Sequence, residues 1–405
     1  MSLKVQKYGG SSVADAEKML TVAKRVAKNR KQGHQIVVVV SAPGDTTDDL
    51  ITMAKKLSET PDEREMDVLL ATGEQQSIAL LAIALKSLGC DAVSFTGPQV
   101  GIMTDRIHTK AHILNIDGRR IRKALQKGQV VVVAGFQGMT PDADITTLGR
   151  GGSDLTAVAI AAALDADVCE FYKDVDGVFT ANPSMVKDAH KLSTVSYDEM
   201  LEMAAAGAQV LNARSVEFAK NYSIKIHVRP TFNEKEGTIV MSETKAMEKV
   251  VISGVTYNKN EVKVTVRGVP DKPGIAAGLF SKLGAAGVNV DMIIQNVGAQ
   301  GFSDISFTLD RSELKKAQKV MQEVAKTMGA SGVLVDEGVA KVSVVGVGMR
   351  SHSGVAAKMF QSLADNGINI EMISTSEIKI SVVIDEKDVA KAVNAIHKKF
   401  NLGKA

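Results

Sequence analysis

With 405 residues the chain is long enough for two or three domains with real cores, and 49 Lys and Arg against 46 Asp and Glu leave a formal charge of +3. Basic and acidic residues are interspersed, aromatics make up 4% and Trp is absent, so neither a nucleic-acid stripe nor a base-stacking surface stands out. The start, Met1-Ser2-Leu3-Lys4, has no apolar signal region, the longest apolar runs are strand length, and Cys90 and Cys169 form no disulfide or zinc pattern. The expectation is a reduced, soluble, cytoplasmic protein with no membrane or nucleic-acid partner.

In chain order, Val5–Tyr8 reads as a strand that exits into Lys7-Tyr8-Gly9-Gly10-Ser11-Ser12, with the two serines placed to cap a helix over Ala14–Lys31. Ile36–Val40 is an apolar run typical of a strand covered on both faces. A helical stretch around Ser77–Leu88 and a strand over Val130–Ala134 follow. A second glycine turn, Gly149-Arg150-Gly151-Gly152-Ser153-Asp154, opens a helix over Asp154–Leu164, where Asp154 reads as an N-cap, and Asp167–Tyr172 is a further strand. This alternation predicts a three-layer α/β/α domain with a mainly parallel sheet over residues 1–245, its ligands at the carboxyl ends of the strands. Both turns carry a cation beside glycines and precede a helix. That suits polyphosphate, because glycine lets backbone N–H groups approach the oxygens and the helix N-terminus favours negative charge.

The second half contains a repeat: Gly274–Ile293 matches Gly354–Ile373 at constant offset. Each copy reads strand, helix, strand, strand, helix. The first runs from a strand at Lys263–Val269 to a helix at Ser312–Met328 and a fourth strand at Val333–Asp336. The second runs from Lys341–Val347 to a helix at Glu386–Phe400 and lacks a fourth strand. Val250–Val255 is expected to complete its sheet, so that 263–338 is inserted within a module formed by 246–262 and 339–405.

Several motifs, in order, are similar to those of the aspartate kinase family of amino-acid kinases: K-Y-G-G-S-S at Lys7–Ser12, V-V-V-S-A at Val38–Ala42, T-G-E at Thr72–Glu74, T-T-L-G-R-G-G-S-D at Thr146–Asp154, D-V-D-G-V-F-T at Asp174–Thr180 and S-T-S-E-I-K-I-S at Ser374–Ser381. The repeat resembles tandem ferredoxin-like ACT modules. The resemblance covers essentially the whole chain. It implies ATP-dependent phosphorylation of L-aspartate, with catalytic Lys7, Arg150 and Asp154. ATP would meet Lys7, Tyr8, Gly9, Gly10, Ser41, Lys173, Asp174, Phe179 and Thr180, and aspartate would meet Thr47, Glu74, Arg150, Gly151, Gly152 and Ser153. Glu74 is also explained as a carboxylate at a helix N-terminus. Lys173 stands where the family commonly has Ser or Thr, and Asn182-Pro183-Ser184 where Asp-Pro-Arg is frequent.

Lysine, threonine or both are the effectors the resemblance implies, held by Asp271, Gly274, Ile275, Ala276, Asn289, Val290, Asp291 and Gln295 in the first copy. Val355, Ala356, Asn369, Ile370, Ser376 and Glu377 are the counterparts in the second. ACT-like modules pair between subunits, which implies a homodimer or an α2β2 assembly, and Met247 stands where a separate small subunit begins in some relatives. His108, His112 and His190 show no ligand spacing, so no metal site is expected and Mg²⁺ would arrive with ATP. The alternatives are another amino-acid kinase of the superfamily or a catalytically silent amino-acid sensor.

Overall fold

A computed structural model describes residues 2–296 and 301–403. The chain divides into two compact units, one of 1–178, 191–204 and 209–247, the other of 179–190, 205–208 and 248–405.

The first unit contains β1 (Leu3–Tyr8), α1 (Ala16–Lys31), β2 (Gln35–Val40), α2 (Thr46–Leu57), α3 (Glu63–Ser87), β3 (Ala92–Phe95), β4 (Ile102–Thr104), β5 (Ile113–Ile116), α4 (Arg119–Gln126), β6 (Val130–Ala134), β7 (Gln137–Met139), β8 (Ile145–Thr147), α5 (Gly152–Leu164), β9 (Val168–Lys173), β10 (Thr194–Ser196), α6 (Tyr197–Ala205), α7 (Ala213–Asn221), β11 (Ile226–Pro230) and β12 (Thr238–Met241). Its main sheet has the order β10-β12-β11-β9-β1-β2-β6-β3, and every pairing but β11–β12 is parallel. A smaller sheet runs β5-β4-β7-β8.

The valine run explains the layers. Ile36, Val38 and Val40 pack with Met19, Val22 and Val26 of α1 and with Ile78, Leu81 and Leu85 of α3. Side chains alternate along a strand, so Val37 and Val39, equally buried, face the other layer, where α5 lies across β1, β2 and β9. Helix α5 is apolar almost all round and buried from Gly152 to Ala161, as a helix inside a layered domain must be.

Three helix starts differ from the sequence reading. Helix α1 begins two residues late because Asp15 caps it, accepting from the Lys18 N–H at 2.8 Å; Ser11 and Ser12 lie in a short 3₁₀ turn instead. Helix α3 begins at Glu63 behind the cap Asp62, well before Ser77. By length and composition α3 is apolar enough to cross a membrane, yet its Leu70, Ile78, Leu81 and Leu85 belong to the buried core. Helix α5 is preceded by Gly151 at φ 75°, which makes Asp154 its third residue and not its cap.

The second unit holds β13 (Gly254–Asn258), β14 (Glu261–Pro270), α8 (Ile275–Ala285), β15 (Val290–Asn296), β16 (Phe302–Asp310), α9 (Leu314–Met328), β17 (Gly332–Asp336), β18 (Val339–Val345), α10 (Val355–Asp365), β19 (Met372–Thr375), β20 (Lys379–Asp385) and α11 (Val389–Lys399). Two antiparallel sheets result, β15-β16-β14-β17 and β13-β18-β20-β19. Each has its own core, Leu279, Leu283, Phe307, Met321 and Val324 in one, Met359, Leu363, Val382, Val393 and Ile396 in the other. Gly274 and Gly354 precede α8 and α10 with φ of 94° and 86°, a conformation open to glycine, which is why both copies keep it. The strand expected at Val250–Val255 forms later, at Gly254–Asn258.

Candidate active site

The carboxyl ends of β1, β2 and β9 converge. Lys7 of β1 is the register partner of Phe171 of β9, so Lys173, two residues on, shares its face. Both side chains reach Asp154 in the first turn of α5: Lys7 Nζ lies 2.6 Å from Oδ1 and Lys173 Nζ 3.1 Å from Oδ2. Lys7 and Asp154 are each only 5% exposed. Burial acts to raise the Asp154 pKa, but Lys173 and Lys7 outweigh it and take the carboxyl to about 2. Lys7 responds the other way. Burial pulls its ammonium below the ordinary value, Asp154 resists, and Lys173 adds to the fall.

Gly10 is required by the approach of two loops. A Cβ there would sit 2.8 Å from the Ala42 carbonyl oxygen and 3.0 Å from that of Gly44, and the Gly44 N–H donates to the Gly10 carbonyl. Ser12 is buried and shares a 2.9 Å hydrogen bond with Thr231 Oγ1, which also donates to the Lys173 carbonyl at 3.0 Å. The first glycine turn is thereby pinned to the end of β9.

Glu74 stands in the middle of α3, not at a helix N-terminus, and is 3% exposed. Its Oε1 accepts from the Ala42 N–H at 3.1 Å, whereas Oε2 has no partner among the described residues. Burial pushes its pKa up to about 7, against the pull of the Ala42 N–H and of Lys7. The Ser41 carbonyl accepts from Ser77 Oγ at 2.7 Å. Thr46 bonds its hydroxyl to the Pro43 carbonyl at 2.6 Å, while half-buried Thr47 on α2 has no side-chain bond of this kind among the described residues.

The second glycine turn has Gly149 and Gly151 at φ 74° and 75°. Arg150 is exposed and forms no ion pair among the described residues. The turn is held from α7, where Asn212 Nδ2 donates to the Arg150 carbonyl at 3.4 Å and Arg214 Nη1 to the Leu148 carbonyl at 2.9 Å. A Cβ on Gly151 would lie 2.3 Å from Asn212 Nδ2. Ser153 packs against Gly135, where a Cβ would approach it to 2.7 Å, and Gly152 against Leu148 and Phe136.

Asp67, two turns before Glu74 on α3, is fully buried. It accepts from Thr147 Oγ1 at 2.5 Å, bonds His108 Nδ1 at 2.8 Å and accepts from the Thr109 N–H at 3.1 Å. Thr109 in turn abuts Gly149. Sequence reading missed Asp67, Asn212, Arg214 and Thr231. Asn212 had a signal, since it caps α7; the others come from segments far from the turns they hold.

Other expected residues lie elsewhere. The Tyr8 ring, stacked on Tyr172 at 4.6 Å, is fully buried in the core, so only its backbone is left for a ligand. Asp174 is exposed beside Lys173. Phe179 and Thr180 belong to the second unit; Thr180 is buried there, bonded to His397 Nε2 at 2.9 Å, so its hydroxyl is already committed.

Within the second unit, Asp271, Gly274, Ile275 and Ala276 lie at the entry to α8, with Asp271 exposed. The exposed Asn289 gives its N–H to Glu313 at 2.9 Å, Val290 packs against the first core, and Gln295 donates to Ser303 at 3.3 Å. Asp291 is paired with Lys341. In the second copy Val355 sits in the core, which makes it a packing residue, and Ala356 follows it on α10. Asn369 and Ile370 precede β19. Ser376 and Glu377 form the β19–β20 turn, where Glu377 lies 3.4 Å from Arg350.

Residues 2–230 match the amino acid kinase family, and residues 264–326 and 342–400 each match the ACT domain. The chain is 52% identical to an aspartokinase of Mycolicibacterium smegmatis over all of itself and 97% of that protein, and 51% identical to an aspartate kinase of Pseudomonas putida, covering 99% and 98%. Among solved structures, aspartate kinase from Synechocystis is 42% identical with a TM-score of 0.57, covering 99% of this chain and 69% of that one. E. coli aspartokinase III shares the fold with a TM-score of 0.84 at 23% identity, covering 98% and 99%. A kinase region with a two-lysine, one-aspartate cluster at its strand ends, followed by two ACT domains and matched end to end by relatives half identical in sequence, means that the chain belongs to the aspartate kinase family.

Proposed function

We propose that this enzyme transfers the γ-phosphoryl group of ATP to the β-carboxylate of L-aspartate, giving 4-phospho-L-aspartate at the head of lysine, threonine and methionine synthesis. The observation that carries this reading is a buried pair of opposite demands near Lys7. The Lys7–Asp154–Lys173 cluster has one positive charge to spare, and Glu74 has a buried oxygen without a partner among the described residues. A polyphosphate answers the first and a substrate ammonium the second.

Lys7, Gly9, Gly10, Ser41, Lys173 and Asp174 would line the phosphate and ribose side. Glu74, Thr47, the Arg150 fork and Gly151–Ser153 would hold aspartate, the guanidinium taking its α-carboxylate bidentately. The substrate carboxylate is itself the nucleophile, so alignment and charge neutralisation are the protein's task. Among the described residues no three His, Cys, Asp or Glu converge on a metal position, and Mg²⁺ is assigned to the nucleotide as part of the substrate.

For the tail, the reading is feedback inhibition by lysine, threonine or both through ACT modules at 263–338 and at 246–262 with 339–405. These also pair subunits into a homodimer or α2β2 assembly. ATP-dependent hydroxamate formation with aspartate or glutamate as acceptor, repeated with each effector and with both, tests the whole. Aspartate-specific turnover that falls with an effector is expected; no turnover with either acceptor would remove the kinase reading.

A further inference from the structure

Lys7 and Lys173 divide Asp154 between them, one ammonium on each oxygen. The arrangement is not a balanced ion pair. Its three charges sum to +1 on side chains exposed by only 6%, 7% and 18%, and the first turn of α5 adds its own positive end. A surplus buried cation is costly without an anion to meet it. Lys173 is the most open of the three and is fixed at its backbone by Thr231, whose N–H donates to the Lys173 carbonyl at 2.8 Å. Its side chain has no protein acceptor but Asp154 among the described residues.

We infer that Lys173 is a second catalytic cation, acting with Lys7 on the transferring phosphoryl group and not on the adenine or ribose. This rests on the kinase reading above and deepens it. As the aspartate carboxylate oxygen forms its bond to the γ-phosphorus, the bond from that phosphorus to the bridging oxygen breaks and ADP departs with the electron pair. No proton moves in this step, so both lysines remain ammonium ions and act as fixed positive charges at the oxygens where negative charge shifts. Asp154 keeps the two cations from separating. When phosphate arrives, either lysine can turn one N–H towards it while Asp154 retains the others.

The test uses the full chain carrying Lys173→Met, which keeps the stem and removes the charge. Calorimetric affinities for AMP, ADP and the non-hydrolysable β,γ-imido analogue of ATP are compared with kcat in the hydroxamate assay. AMP affinity is expected to stay within about twofold, affinity for the analogue to fall about tenfold, and kcat to fall roughly 100-fold, the size seen when one transition-state donor is lost. Lys173→Arg should restore most of kcat. Equal losses for AMP, ADP and the analogue would put Lys173 on the nucleoside side and overturn the inference, as would an unchanged kcat. Should the Met variant not fold, Lys173→Gln carries the same comparison. A wild-type chain that binds the analogue but does not phosphorylate aspartate would defeat the function proposed above. The AMP-against-analogue difference would still decide the place of Lys173.

Discussion

Lys7 in the first unit and Lys341 in the second are 5% and 4% exposed, yet their ammonium groups shift in opposite directions. Burial works to lower both. Lys7 has one carboxylate at hand and a second lysine beside it, and its pKa falls. Lys341 lies between Glu261, at 2.7 Å, and Asp291; these two carboxylates outweigh burial and raise it. The same residue at the same depth is thus left wanting an anion in one place and over-supplied in the other. The ratio of partners, more than burial itself, separates a charge left able to meet a further anion from one that holds strands together. Lys341 joins β18 of the second repeat to β14 and β15 of the first.

Removing each lysine should break the comparison in different measurements. Lys7→Met should cost roughly 100- to 1,000-fold in kcat while thermal unfolding changes little, because a surplus cation has gone. Lys341→Met leaves two carboxylates together with no counter-charge, and should destabilise the second unit by about 3 kcal/mol in denaturant titration. A neutral result there would show that the two sites do not differ as argued.

Glu74 sharpens the contrast through pH. Its pKa rises from 4.5 to about 7 on folding, so its contribution to stability is present below pH 4.5 and is lost as pH rises through 7. On the proposed reading, in which Glu74 meets the substrate ammonium, the ionised form is the one required. The KM for aspartate should therefore fall about tenfold between pH 6 and pH 8, following the ionised fraction, and Glu74→Gln should flatten that slope in steady-state assays. The smallest effect is expected at the clamp behind Lys173. Thr231→Val removes the hydroxyl that joins Ser12 to the Lys173 carbonyl and should lower stability by about 1 kcal/mol, read from the thermal midpoint.

Local pattern carried much of the architecture. Ile36–Val40 announced a two-faced strand because its alternate side chains feed two separate layers, and the repeated glycines marked the entries to α8 and α10. The glycine turns likewise pointed to Lys7 and Asp154. What the pattern could not express were contacts made across long stretches of chain. Asp154 read as a cap until the left-handed Gly151 moved the helix start forward. Glu74 read as a helix N-terminal carboxylate because the polar first turns of α3 hide its periodicity. Asp67, Thr231 and Asn212 hold the glycine turns from elsewhere in the chain, and a hydrogen bond between such distant residues leaves no spacing to read.

Strand β13 runs antiparallel to β18, with Asn258 opposite Lys341. The two form a hairpin whose connecting loop is the whole first repeat. Loop-closure entropy grows only slowly with length, so such an insertion costs the hairpin little once the inserted part folds by itself. The same geometry makes the repeat excisable: a two-residue Asn-Gly turn joining Asn258 directly to Lys341 would restore an ordinary hairpin. It also gives the first repeat two adjacent tethers in place of one, so a shift within it is delivered to neighbouring strands of a single sheet.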